Sequence, residues 1–206
     1  MIQVVVIRHG RTEWNRIERF RGRADIDLDE VGKKQAEATA KRVAELGISA
    51  MYASPLRRTM TTARILSEYL DLKLSPLPGI MDIDYGEWQG LTPEEAAARD
   101  GSLYSQWREH PHLVTFPSGE SLADVRNRAA DAVESVLAQA DNKTIAVVSH
   151  KVVCQLLILH FIALDNSHFW QIGQDVAAVN LFHVRDGVPS AVLLNDTCHL
   201  KGLTVS

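Results

Sequence analysis

The chain has 206 residues, 46% of them hydrophobic and 23% charged, with a formal net charge of −4. That length can bury a sizeable core as one domain without disulfides or structural metals. The acidic balance argues against a nucleic-acid partner, which takes a basic surface. Cys154 and Cys198 form no C-x-x-C pair, so neither a disulfide scaffold nor a zinc knuckle is indicated and a reducing compartment is expected. The N-terminal MIQVVVIRHG lacks the basic segment and long apolar run of a secretory leader. The longest apolar run, Val152 to Leu164, has 13 residues with Gln155 and His160 inside it, too short to span a bilayer. The expectation is a cytoplasmic protein with no membrane partner.

IQVVVI is a continuous β-branched run, as in a strand buried on both faces. LDEVGKKQAEATAKRVAELG reads as a helix with Asp29 at its N-cap and Gly47 just past its end. Ile48 to Ser54 is a second strand. PLRRTMTTARILSEYL is a second helix with Pro55 in its first turn, followed by a short strand near Leu72 to Ser75. Residues 76–118 are richer in Gly, Pro and aromatics and read as a lid-like insertion with one or two short helices. SLADVRNRAADAVESVLAQA resumes a long helix, with Ser121 and Asp124 as a capping box. TIAVVS (Thr144 to Ser149) is another buried strand, and an apolar helix runs from Val152. AVNLFHV and SAVLLN form a final strand pair around the turn signal RDGVP. The alternation predicts one α/β domain over 1–206, a three-layer α/β/α sandwich with a mostly parallel central sheet and the insertion at 76–118.

In such sheets ligands bind beyond the carboxyl ends of the strands. Three predicted strands end in Arg8-His9-Gly10, in SPLRR with Arg57 and Arg58, and in His150. Two arginines and two histidines converging on one edge suit a phosphoryl dianion, because guanidinium forks match its oxygens. A neutral histidine can carry a covalent phosphoryl group. No P-loop motif and no cysteine-based loop competes with this reading. DIDLDE (Asp25 to Glu30) imitates a calcium loop, but Glu30 stands where glycine is required and Ala36 where the final glutamate belongs, so it reads as a polar loop before a capped helix.

RHGRTEWN, SPLRRTMTTA, DIDYGEWQGLT, SGESL and VVSH, in that order, resemble the histidine phosphatase superfamily, in the branch related to cofactor-dependent phosphoglycerate mutases. The resemblance covers nearly the whole chain. It implies His9 as the nucleophile that becomes phosphohistidine. Arg8, Arg58 and His150 would bind phosphoryl oxygens, with Asn15 assisting. Asp82 would serve as the acid and base, with Glu87 next in line, and no metal or cofactor would be needed. Arg21, Gly22 and Tyr85 would line the substrate side. Relatives carry Glu where Asp82 stands, and Asp has the lower reference pKa, about 3.9 against about 4.3. Lys151 follows His150 where relatives often have Gly. Only 25 residues separate Thr92 from Ser118, where true mutases carry a longer basic insertion, which favours a phosphatase over a mutase. EHPHLVTFPSGESLADVRNR and LNDTCHL are similar to metal-independent phosphoserine phosphatases, although Tyr85 replaces an expected histidine. The expected substrate is a small phosphorylated metabolite. Phosphoserine, α-ribazole phosphate and sugar phosphates are candidates, and a bisphosphoglycerate-activated mutase and a non-catalytic phospho-ligand module are the competing classes. His199 is expected to be structural. The last strands and LLNDTCHLKG offer a shared edge for a homodimer.

Overall fold

The structure is a computed structural model that describes residues 1–141 and 143–203; Asn142 and the last three residues of the expected 1–206 domain lie outside the described residues. Its centre is a six-stranded sheet. In chain order the elements are β1 (Ile2–Arg8), α1 (Glu13–Arg16), α2 (Glu30–Val43), β2 (Ile48–Ala53), α3 (Arg57–Leu70) and β3 (Leu74–Pro76). Next come α4 (Pro93–Arg99), α5 (Gly101–Glu109), α6 (Leu122–Leu137), β4 (Thr144–Ser149), α7 (Lys151–Phe161), β5 (Val179–Arg185) and β6 (Val188–Asp196). The strand order is β3-β2-β4-β1-β5-β6. β1, β2, β3 and β4 pair in parallel, while β5 runs antiparallel to both β1 and β6.

Alternation along the two central strands builds the layers, because successive side chains leave opposite faces. Val4, Val6, Ile145 and Val147 enter the core under α6, α7 and the insertion. Val5, Ile7, Ala146 and Val148 enter a second core with Ala36, Ala40, Ala63 and Leu66 of α2 and α3. Both faces are covered, which is why these strands read as unbroken apolar runs.

The predicted caps form. The Asp29 side chain accepts from Gly32 N at 2.7 Å, Gly47 is left-handed at φ 61°, and Ser121 and Asp124 close a capping box at the start of α6. Several boundaries differ from expectation. Pro55 precedes α3, which starts at Arg57, whose N–H donates at 2.7 Å to Asp25 of the loop before α2. β3 begins two residues late, since Asp71 is left-handed and Leu72 N–H bonds back to Ser67 O. The apolar run past α7 stops being helical at Phe161, where left-handed Ala163 lets Leu164 N–H close on Leu159 O. α1 was not expected, being a single turn. The insertion holds α4 and α5. Among the described residues, no helix is long and apolar enough to cross a membrane.

Candidate active site

β1 and β4 are parallel neighbours with Arg8 opposite Ser149, so both chains leave the sheet at the same height. The next residues are His9 and His150, whose ring centroids lie 5.4 Å apart. His150 occupies the N-cap of α7 in an extended conformation without capping it, so its ring stays in the site. α3 supplies Arg58. From the insertion, the loop before Tyr85 supplies Asp82. His9, Arg58, His150 and Asp82 are 1%, 0%, 0% and 6% exposed.

His9 Nδ1 lies 2.7 Å from Gly10 O, a carbonyl that can only accept, so Nδ1 carries the hydrogen and Nε2 the lone pair. Burial, then Arg58, Arg8 and Arg21, hold the ring's pKa well below its usual value, keeping it neutral. Gly10 follows the nucleophile candidate at the end of β1. Its structural constraint is an approach to α2, since a Cβ there would sit 2.4 Å from Gly32 O.

Arg58 bonds in every direction. Nε donates to His150 Nδ1 (3.1 Å), Nη1 to Ala24 O (2.7 Å), and Nη2 to both Gly22 O (2.8 Å) and Asp82 Oδ2 (3.1 Å). An arginine N–H always donates, so His150 Nδ1 accepts and its Nε2–H donates to Ser54 Oγ at 2.8 Å. Burial and Arg58 depress the His150 pKa as well. Asp82 is raised by burial, against the opposing pull of Arg58 and Arg21, while Ile83 N–H donates to its Oδ1.

Asp82 also lines a cavity of about 360 Å³, together with Arg8, Asn15, Arg21, Tyr85 and Lys151. His9, Arg58 and His150 are not part of that lining; they connect to it through Asp82, which Arg58 holds, and through Arg8, the chain neighbour of His9. Arg8 donates through Nη1 to Gln174 O at 2.6 Å, yet its buried Nε has no partner among the described residues, and neither does Arg21 Nε. Burial and Arg21 lower the Arg8 pKa to about 10. Asn15 directs Oδ1 to Thr12 and lines the cavity with α1. Gly22 acts through its carbonyl, as a rest for Arg58. Tyr85 belongs to an aromatic wall with Phe20, Trp107 and Phe116. Glu87 is absent from the cavity lining and pairs with Arg99 at the surface. His199 packs against Thr39 and Ala177 O, under α2. Arg57 is exposed and pairs with Asp27, so only one arginine of SPLRR enters the site.

Residues 4–197 match the profile of the histidine phosphatase superfamily (branch 1). The chain belongs to this superfamily. It is therefore a phosphomonoester hydrolase of the histidine phosphatase type. Phosphoserine phosphatase 1 of Hydrogenobacter thermophilus is 36% identical over 200 residues, covering 97% of this chain and 95% of that protein. Among solved structures, Bacillus stearothermophilus YhfR superposes with a TM-score of 0.93 at 27% identity, over 97% of this chain and 100% of the other. A mutant phosphoserine phosphatase from Entamoeba histolytica, in complex with phosphoserine, superposes at 0.87 with 27% identity over 97% and 100%.

Four supporting groups in this histidine phosphatase were not singled out from the sequence. Ser54 holds His150, and Thr62 Oγ1 accepts from Gly10 N at 3.2 Å. Gln174 offers its carbonyl to Arg8. Arg128 of α6 donates to the carbonyls of Gly79, Met81 and Asp82 and pairs with Glu120, fastening the loop that carries Asp82. Ser54 and Thr62 sit inside the SPLRRTMTTA block, and Arg128 closes the EHPHLVTFPSGESLADVRNR block, so each had that signal.

Proposed function

We propose that the chain is a metal-independent phosphatase of small phosphomonoesters working through a phosphohistidine on His9, with L-phosphoserine as the leading substrate. The observation that carries this reading is the pair of buried guanidinium nitrogens of Arg8 and Arg21, unpartnered among the described residues, in the cavity lining, with a neutral His9 directly after Arg8 in the chain. Buried donors of that kind call for an acceptor, and a phosphoryl dianion supplies several. The His9 Nε2 lone pair attacks phosphorus. The P–O bond to the leaving group breaks, and Asp82 gives its proton to the departing oxygen. Water then loses a proton to Asp82 and attacks the phosphohistidine; the P–N bond breaks and its electrons return to Nε2. Arg8, Arg58 and His150 stabilise charge on the phosphoryl oxygens, and Asn15, Arg21, Gly22 and Tyr85 shape or support the substrate side.

Phosphoserine leads because relatives named for that substrate align over almost the full chain. The reading includes a single domain over 1–206 with 76–118 as its lid, no nucleic-acid or membrane partner, no cofactor, a homodimer across β6, and a cytoplasmic location supported by two free cysteines. Turnover of an aryl phosphate is expected to survive EDTA, to be inhibited by vanadate and to vanish in His9→Ala. Loss of turnover on chelation sinks the metal-free route, and an acid-labile phosphoenzyme mapped to any residue other than His9 sinks the intermediate.

A further inference from the structure

The cavity contains a cation that the phosphoryl group does not account for. Lys151 opens α7 directly after His150, and its side chain is part-buried in the lining. It has no hydrogen bond or ion pair among the described residues; its recorded contact is with the Trp170 ring, whose centroid lies 6.0 Å from Nζ. Arg19 and Arg108 also line the cavity, but Arg19 is engaged by Gly90 O and Glu95 and Arg108 is solvent-exposed, whereas Lys151 is part-buried. Arg8 and Arg58 serve the phosphoryl group under the reading above. Lys151 remains as a half-desolvated ammonium at the start of an 11-residue helix, whose N-terminal dipole adds to its charge.

We propose that Lys151 is a specificity-determining residue whose ammonium anchors a carboxylate on the substrate's organic moiety, with the Trp170 ring beside it. A second phosphoryl group fits less well. Lysine presents one compact charge, whereas dianions are matched by guanidinium forks, and the nearby Arg21 already gives one terminal nitrogen to Trp14 O at 3.1 Å. Lys151 and Arg8 line one cavity of about 360 Å³, so the two ends of one small ligand can reach both. A phosphorylated hydroxy acid or hydroxy amino acid carries the phosphoryl group and the carboxylate together, whereas a simple sugar phosphate has no carboxylate. Burial, Arg8 and Arg21 lower the Lys151 pKa, and pairing with an anion opposes that shift.

This inference rests on the phosphatase reading, and one matched pair of substrates separates the two. O-phosphoserine and O-phosphoethanolamine differ only by the carboxylate. The wild-type chain is expected to favour phosphoserine in kcat/KM. Lys151→Met is expected to shrink that preference by about tenfold or more, mainly through KM, because a uniform binding contact is removed. Lys151→Arg is expected to keep most of it, and Lys151→Gln repeats the test should the Met variant fail to fold. A preference unchanged within about twofold in Lys151→Met or Lys151→Gln overturns the inference, as does a wild type that hydrolyses both esters equally. Strong activation of phosphoglycerate interconversion by a bisphosphate, lost in Lys151→Met, also overturns it in favour of a second phosphoryl group. Absence of any His9-dependent monoester turnover instead removes the phosphatase reading and the inference with it.

Discussion

His9 and Asp82 have opposite requirements, and the same burial meets both. An imidazole that attacks phosphorus must be neutral; a carboxyl that protonates a leaving oxygen must hold its proton. Desolvation disfavours the charged form of each, lowering the His9 pKa and raising that of Asp82. Arg58 reinforces the first effect and opposes the second, 3.1 Å from Asp82 Oδ2, so the acid stays titratable instead of locked neutral. Asp82→Asn keeps the shape and removes the proton. It is expected to lower kcat on an alkyl ester such as phosphoserine by about 10²–10⁴-fold. The loss should be much smaller on an aryl phosphate, whose phenolate departs without a proton. Equal losses on both esters, or full alkyl activity, would remove Asp82 from the acid's position. At this scale the proposed catalytic residues were singled out because each stands at a strand end or in a block with fixed spacing, and the structure brings His9, Arg58, His150 and Asp82 together. The role of Arg128 was not legible, although it closes the EHPHLVTFPSGESLADVRNR block, because a helical arginine reads as a solvated face; only the fold brings it against three carbonyls of another segment. Ser54 escaped for a related reason, since its hydroxyl matters only through the His150 nitrogen it meets.

At the scale of elements, the sheet explains both what it positions and what it leaves open. β1 and β4 are buried on both faces, and their apolar runs announced them; α1 and β3 are too short to carry a period, so their limits came from neighbouring caps and pairings. The antiparallel β5 was signalled only by the turn that joins it to β6. One edge of the sheet is β3, three residues long. The other is β6, nine residues with Val188, Val192 and Leu194 exposed at 68%, 51% and 42%. Long apolar edges invite pairing, and charges on them prevent it. A second copy of the chain across β6 is therefore expected to give a dimer mass in sedimentation, shifting to monomer in Val192→Lys. A wild-type monomer at micromolar concentration removes the homodimer.

For the molecule as a whole, the chemistry has a cost in stability that depends on pH. His9 is faced by Arg58, Arg8 and Arg21, and His150 by Arg58, His9, Arg21 and Arg128, so both resist protonation in the folded state well below the reference value of 6.5. In the unfolded chain both titrate near that value. As pH falls through 6.5, the unfolded state takes up two protons that the folded state refuses, and unfolding becomes easier. Each proton contributes at most about 1.4 kcal/mol per pH unit, a limit approached only below the unfolded pKa, so the pair steepens the slope toward roughly twice that of one group. His199, half-buried against Ala177, acts in the same direction. Asp82 acts in the opposite one: its raised folded pKa means that the folded state binds a proton before the unfolded state does near 3.8, which offsets part of the loss at the acid end. Urea midpoints measured from pH 7.5 to 5.5 are expected to fall steeply, and His150→Gln is expected to remove about half of the slope by removing one of the two protons. A flat profile across that range would mean that the two rings ionise freely in the folded protein. His9 would then lose its nucleophilic lone pair at the same pH at which stability failed to respond, so the stability curve and the acid limb of kcat/KM test one electrostatic arrangement from two sides.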